Sequence, residues 1–518
     1  MPIPTDPPQE PVPFGRASIS FWPAAHLTIP STTFRNSRLP STDGEFMTTA
    51  KTSLLLSFYG DDVTGTTATA EALTVSGVPT ILFTKPPTLS FLKRHFPSVR
   101  AVGIAGISRS FPTKNLEPLL KPVFRRMKSY GAPLFLYKIC STFDSSPAIG
   151  SIGRAIEVGM DVFASGFVPI LVAAPRLGRY TLFGNHFVHL AGDVYRLDQH
   201  PSMSTHPITP MKEADLRRHL SKQTELPCGL ISALDFEKGR KRMAQRLRDL
   251  LKRGTPLILF DTMTNRHLDM ACSVIWDHTD RTKPLFGVGS QEWGYGLARV
   301  WKQKALLRTQ EMLRGQGRRR SDRSLLVVSG SCASMNGRQI EWATHHGFTG
   351  IAVHPERLLD LSVREAESDR ILGCALSALL AEKATVIHTA IGPGDSRIPL
   401  MKRTEEALGL SPQAATDILG QVLSDVIRKL LQQIAIRRLV LAGGDISGKI
   451  SQDLGIWALQ IGAPVGIAAP LCYAYSSNPR VMGLEIAFKG GQIGDDVYFE
   501  SVRTKPLPEF RRVSMGRF

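Results

Sequence analysis

Ser53-Leu54-Leu55-Leu56-Ser57-Phe58-Tyr59-Gly60-Asp61-Asp62-Val63-Thr64-Gly65-Thr66 is the stretch that decides the fold. Its opening run is short and nearly all apolar, as in a strand buried on both faces, and it stops at Gly60-Asp61-Asp62. A helix is expected over 66–76, because Gly77 and then Pro79 close it, followed by a second strand over 80–83. The unit reads as β-α-β.

Outward from this unit the rhythm repeats. Strands are expected over 99–107, 134–139 and 168–174, with a helix over 116–130 that Gly131 ends. The pattern restarts at Ser324-Leu325-Leu326-Val327-Val328 and runs into Ser329-Gly330-Ser331; further strands are expected over 350–353, 384–389, 438–442 and 484–489, with a long amphipathic helix over 414–434. Strands that alternate with helices build a parallel sheet covered on both faces, with ligands received at the carboxyl ends of the strands. The expected fold is α/β: two α/β domains with largely parallel sheets and a cleft between them. The divisions expected are an N-terminal extension over 1–50, disordered or extraneous, a first domain over 51–305, a linker over 306–323 and a second domain over 324–518.

Size and composition agree with two domains: 518 residues at 42% hydrophobic content are too many for one ordinary core and apolar enough to fold. The formal net charge of +18 suits nucleic acid, a membrane surface or acidic small molecules, and does not choose among them. Part of it lies in Arg314, Arg318, Arg319, Arg320 and Arg323, beside Gly315 and Gly317. No aromatic residue interleaves there for base stacking, so this run reads as a solvated linker rather than a nucleic-acid arm. Six cysteines without C-x-x-C spacing fit reduced intracellular thiols. No apolar run is long enough to cross a bilayer, and the N-terminus lacks the layout of a secretion signal. A cytoplasmic protein is expected, with no nucleic-acid or membrane partner, and a homo-oligomer is left open. Residues 1–50 are rich in Pro, Ser and Thr, and Met47 is an alternative start.

The chemistry is expected at the strand ends. Asp61, Asp62 and Thr64 place two carboxylates and a hydroxyl between a buried strand and a helix N-terminus, where a carboxylate can orient a substrate hydroxyl and accept its proton. Helix capping explains one such residue, but two adjacent aspartates less well. Ser108-Arg109-Ser110 ends one later strand, and Lys138-Ile139-Cys140-Ser141-Thr142-Phe143-Asp144-Ser145-Ser146 ends another. A guanidinium fork, a point charge and a hydroxyl-rich turn suit a ligand with a carboxylate and several hydroxyls. His186, His189, His200 and His206 cluster in a Gly- and Pro-bearing segment that reads as loop or hairpin, without the helix or Cys partners of a metal site, and are expected to be structural or to belong to a substrate lid.

In the second half, glycines end three strands: Ser329-Gly330-Ser331-Cys332-Ala333-Ser334, Gly443-Gly444-Asp445-Ile446-Ser447-Gly448 and Gly490-Gly491-Gln492-Ile493-Gly494. Glycines let backbone amides approach phosphate oxygens, and this is the chemistry a nucleotide requires. Neither a Walker loop nor a G-x-G-x-x-G fingerprint is present. Gly392-Pro393-Gly394-Asp395 is a further candidate loop.

Together, Phe58 to Thr67, Lys138 to Ser146, Gly150-Ser151-Ile152-Gly153-Arg154-Ala155 and Val194 to Ser204 resemble the four-carbon acid sugar kinases, which include 3-oxo-tetronate and threonate kinases. The resemblance spans about 53–505. It implies that the first domain holds the sugar acid and the second holds ATP. It carries acid contacts onto Asp61 or Asp62, Arg109, Lys138, Ser141 and Thr142, and nucleotide contacts onto Ser331, Gly443, Gly444, Asp445, Ile446 and Gly490. Where family members often read Lys-Thr-Asp-Ser, this chain has Lys138-Ile139-Cys140-Ser141, and Asp144 is the acid that would compensate. Ile446 stands where a Thr often follows the paired glycines.

The mechanism expected is in-line transfer from ATP with Mg2+, its protein ligands unassigned beyond a guess at Asp445. Asp61 or Asp62 serves as base, and Arg109 and Lys138 anchor the carboxylate or offset phosphoryl charge. The competing readings are an aspartate-dependent sugar phosphatase, weakened because its two aspartates should be separated by one residue, and a basic nucleic-acid-binding protein.

Overall fold

The computed structural model describes residues 53–190, 192–206, 208–307, 324–508 and 510. The N-terminal extension expected over 1–50 and, beyond Leu307, the arginine-rich linker lie outside the described residues.

The first half supplies β1 (Leu56–Gly60), β2 (Thr80–Phe83), β3 (Ala101–Ala105), β4 (Leu134–Lys138), β5 (Val168–Leu171), β6 (Arg179–Leu182), β7 (Asn185–Leu190), β8 (Asp193–Arg196), β9 (Cys228–Ile231), β10 (Leu257–Phe260) and β11 (Leu285–Gly289). The second supplies β12 (Leu325–Ser329), β13 (Thr349–Ala352), β14 (Thr385–His388), β15 (Arg438–Ala442), β16 (Ile456–Gly466), β17 (Ala469–Ser476) and β18 (Glu485–Lys489). Most of these join one 15-stranded sheet in the order β13-β14-β12-β15-β18-β17-β16-β2-β3-β1-β4-β11-β5-β10-β9. The separate sheet β6-β7-β8 is an antiparallel meander.

Within the large sheet the other strands of each half run parallel, and the halves are joined by the antiparallel hairpin β16–β17, which pairs antiparallel with β2 on one side and with β18 on the other. β16 pairs with β2 only at Ala458–Phe83 and Leu459–Leu82, and the Thr84 N–H adds a bond to Trp457 O at 3.0 Å. This hairpin was not expected from sequence. Gly462, Pro464, Gly466 and Pro470 interrupt the alternation that announces a strand.

β1 is buried at every position, as its continuous apolar run requires. The helix that follows spans Val63–Val75, starting earlier than expected because Asp62 caps it, its side chain accepting from the Gly65 N–H. Small residues such as Thr66, Thr67, Ala70 and Ala72 are buried around this helix, which touches β2 and β3 of the first half and β16 and β17 of the second. A helix covered on all sides carries no polar face, which accounts for its weak amphipathic pattern. One apolar core runs from Leu56 and Leu73 through to Ile446, Ile450 and Ile486.

Candidate active site

β1, β3, β4 and β11 lie side by side, with Gly60 level with Ala105 and Lys138, and Lys138 level with Gly289. Their carboxyl ends therefore deliver Asp61, Arg109 and Lys138 to one place. The Arg109 guanidinium grips Asp61 with both arms of its fork, Nε to Oδ2 at 3.1 Å and Nη2 to Oδ1 at 2.8 Å, and Nη2 also lies 3.0 Å from Asp62 Oδ1. Lys138 Nζ is 3.8 Å from that same oxygen. Gly65 makes room for this approach, since a Cβ there would overlap Lys138 Nζ.

The two aspartates differ. Burial pushes the Asp61 carboxyl up against the pull of Arg109 and Lys138. Burial also opposes ionisation of Asp62, but Arg109, Lys138, the Thr64 hydroxyl at 2.5 Å and the Gly65 N–H outweigh it and hold that carboxyl at about 2. Asp62 is thus ionised at neutral pH while also capping a helix. Asp61, enclosed by Arg109, is poorly placed to act as a covalent nucleophile on phosphorus.

Beyond Lys138 the loop forms a short polar chain. Thr142 Oγ1 donates to Asp144 Oδ1 at 2.6 Å and lies 2.9 Å from Cys140 Sγ. His186 Nε2 meets Ser141 O at 2.8 Å and its Nδ1 meets Thr181 Oγ1 at 3.0 Å, tying the loop to the meander. Burial drives that imidazole down to about 4, so it is a neutral brace. The His200 ring accepts from the backbone of Ser202 and Met203, and the His206 ring accepts from Thr209 N–H. Among the described residues no group of three or more His, Cys, Asp or Glu is arranged to hold a metal ion.

From the other half, three glycine turns meet. Gly443, at φ 110°, backs onto Gly330, and a Cβ on Gly491 would overlap Ser331 Oγ. Asn336 Nδ2 donates to Ser329 Oγ at 2.6 Å and to Ser331 O at 3.3 Å, holding the first of these turns at the start of the helix Ser334–His345. Gly444 opens the helix Gly444–Asp453. The Ile446 side chain does not face the cleft but packs into the core under Gly330, so only its backbone is left to meet a ligand. The side chain of Asp445 lies outside the described residues.

A cavity of about 680 Å³ brings the two sets together. Asp62, Thr64, Arg109, Lys138, Ser141, Thr142 and Asp144 line it from one half, and Ser331, Pro393, Gly490 and Gly491 from the other. A neighbouring cavity of about 460 Å³ shares Asp62 and Arg109 and adds Asp61 and Gly444.

Residues 56–297 match the family of sugar-binding N-terminal domains, and residues 326–499 match the family of nucleotide-binding C-terminal domains. The chain is 40% identical over 462 residues to a 3-oxo-isoapionate kinase of Paraburkholderia graminis, covering 89% of this chain and 97% of that protein. The chain belongs to the four-carbon acid sugar kinase family. The kinase is also 28% identical over 461 residues to a 3-oxo-tetronate kinase of Burkholderia multivorans, covering 88% of this chain and 98% of that one. A crystal structure of a Salmonella typhimurium LT2 protein superposes on it with a TM-score of 0.67 at 26% identity, covering 86% of this chain and 98% of the other. Among its described residues no helix is long and apolar enough to cross a membrane.

Two basic residues, one buried behind the Gly490 turn and one lining the cleft, escaped the reading of the kinase's sequence. Lys489 is wholly buried, and burial drives its amine down to about 7; its Nζ donates to Gly490 O at 3.0 Å and lies 5.9 Å from the centre of the Tyr498 ring. Its only signal was a lysine before paired glycines at a strand end. Arg179, on the meander, lines the cleft beside Ser141, and no local pattern marked it.

Proposed function

We propose that this kinase transfers the γ-phosphoryl group of ATP to a hydroxyl of a small sugar acid, with the first half holding the acid and the second the nucleotide. The observation that carries the reading is the shared cavity, in which Asp62, Lys138 and Ser141 face Ser331 and Gly490. The substrate class follows the relatives: a 3-oxo acid of the isoapionate type, favoured by the higher identity, or of the tetronate type, with threonate and erythronate as further candidates.

Asp62 is the base in this reading. It is ionised, it fronts both cavities, and it takes the proton of the hydroxyl it orients. Asp61 acts through Arg109 by fixing the guanidinium that in turn positions Asp62. Lys138 offsets negative charge on the phosphoryl oxygens, Thr64, Thr142 and Asp144 hold the acid's hydroxyls, and Ser141 is a further contact to the acid. The turns at Ser331, Gly443, Gly444 and Gly490, with the backbone of Asp445 and Ile446, cradle the phosphates through N–H groups. Enclosure of the reacting groups between the halves keeps water from accepting the phosphate.

Mg2+ would accompany the nucleotide, supplying charge neutralisation at the phosphates. Such an ion keeps several waters and needs only one or two carboxylates, so the lack of a three-acid cluster among the described residues fits it. Asp62 and Asp144 are the described carboxylates that line the cavity and would be available to it. A reaction that consumes ATP, in a chain whose six cysteines are unpaired, belongs in the cytoplasm.

The test is ATP consumption with 3-oxo-tetronate, 3-oxo-isoapionate, threonate and erythronate. Turnover that depends on one acid and is lost in D62N supports the assignment. Turnover that needs no acid, or that persists when both Asp61 and Asp62 are replaced, defeats it.

A further inference from the structure

The shape of the acid-binding side rests on a question of cations. A sugar acid brings a carboxylate into the cavity, and a buried carboxylate needs a positive partner. Arg109 is a poor candidate, since its charge is already matched by two carboxylates: its Nε–Nη2 fork is filled by Asp61 and its Nη2 also touches Asp62, which leaves only Nη1 for a ligand. Lys138 is buried beside Asp62 and Gly65, at the end of the cavity where phosphoryl transfer is proposed.

Arg179 differs from both. It opens the meander just after Gly178, whose φ of 65° turns the chain back so that the Arg179 N–H bonds to Ala174 O. Its Nη1 donates to Ser141 Oγ, its Nε is shielded from solvent and reaches no acceptor, and among the described residues no carboxylate lies within ion-pair distance of it. The guanidinium lines the cavity together with Ser141, Thr142 and His206. Ser141 Oγ accepts from Arg179, which leaves the serine proton free to donate to the same ligand. His186, the neutral brace beneath this loop, brings no competing charge.

Resting on the proposed acid-kinase reading, we propose that Arg179, with Ser141, is the anchor for the substrate carboxylate, and that Arg109 instead organises the aspartate pair. The acid then lies along the β4 loop, with its carboxylate at the meander and its reacting hydroxyl at Asp62. The meander becomes the element through which the enzyme selects acids over neutral polyols.

The experiment compares equilibrium binding of erythronate and threonate with that of erythritol and threitol, which lack the carboxylate, in wild-type protein, R179Q and R179K. The wild type is expected to prefer an acid over its polyol, and R179Q to lose about 10- to 100-fold in acid affinity, as removal of a charge-assisted bond does. Polyol and ATP binding in R179Q should stay within about twofold, and R179K, which keeps the charge without the fork, should recover part of the acid affinity. Acid binding unchanged in R179Q, an equal loss for acid and polyol, or a wild type that binds no acid each overturns the assignment. Failure of the kinase reading would appear separately, as no phosphoryl transfer to any acid by the wild type, while the binding comparison still stands.

Discussion

Asp62 Oδ2 lies 3.7 Å from the position that a Cβ on Gly444 would occupy, so the helix-capping acid of one half abuts the glycine turn of the other. A methyl group fits there at ordinary contact distance, and Gly444 opens a helix, where alanine is at least as favourable as glycine. G444A should therefore melt within about 1 kcal/mol of wild type. Its kcat/KM for ATP should nonetheless fall about tenfold or more, because the methyl fills the gap in which the phosphates must meet the acid. Thermal melts and ATP kinetics on the same preparation separate the two effects, and wild-type kinetics would remove the phosphates from this turn.

Replacing Asp62 separates its two jobs. Asn caps helices as well as Asp does but gives up the charge that Arg109 and Lys138 face, so D62N should lose at neutral pH the stability its depressed carboxyl contributes, while kcat drops about 100- to 10,000-fold through loss of the base. D62A should show the same kinetic loss and, in addition, cost about 1 kcal/mol of stability in denaturant titration as the cap disappears. A D62N enzyme that keeps its turnover would make the residue only a cap.

Arg109 should matter more to the fold than its partly exposed position suggests. R109A strands the buried Asp61 carboxylate, and breaking a buried pair from one side costs about 3–5 kcal/mol. R109K keeps the charge but cannot make the fork, and should recover only part of that loss. Urea midpoints at constant slope measure both, and an R109A midpoint equal to wild type would count against the clamp.

Behind the cleft, Glu71 and Glu292 are buried with unpartnered oxygens, near Arg176, Arg299 and Tyr295. Burial raises Glu71 from 4.5 to about 8 and Glu292 to about 7. Between 4.5 and those values the folded protein binds more protons than the unfolded chain, so stability falls as pH rises through this window. E292Q should be indistinguishable from wild type near pH 5 and more stable by about 1–3 kcal/mol near pH 8. Melting temperatures across that range test it, and a pH-independent difference would mean that the carboxyl is not held neutral by the fold.

The sequence was most legible where a signal is local. β1 announces itself as an unbroken apolar run because a central parallel strand has no wet face, and its polar tip marks the strand end from Gly60 to Asp62. The same logic found β2 and β15 at their observed limits. It failed where meaning depends on a distant partner. Arg179 acquires its importance only from Ser141, 38 positions away, and Arg109 looks like a free cation until Asp61, 48 positions away, closes on it. Ile446 reads as part of a phosphate loop, yet its side chain fills the space left by Gly330. β16 escaped notice because what makes it a strand is pairing with β17 and β2, not its own alternation.

That pairing has a mechanical consequence. Because the sheet passes without a break behind its own cleft, the two sides of the enzyme are not independent jaws on a string. Any tightening around bound reactants has to be expressed as torsion of a shared plate, concentrated at the short ladder between Phe83 and Ala458.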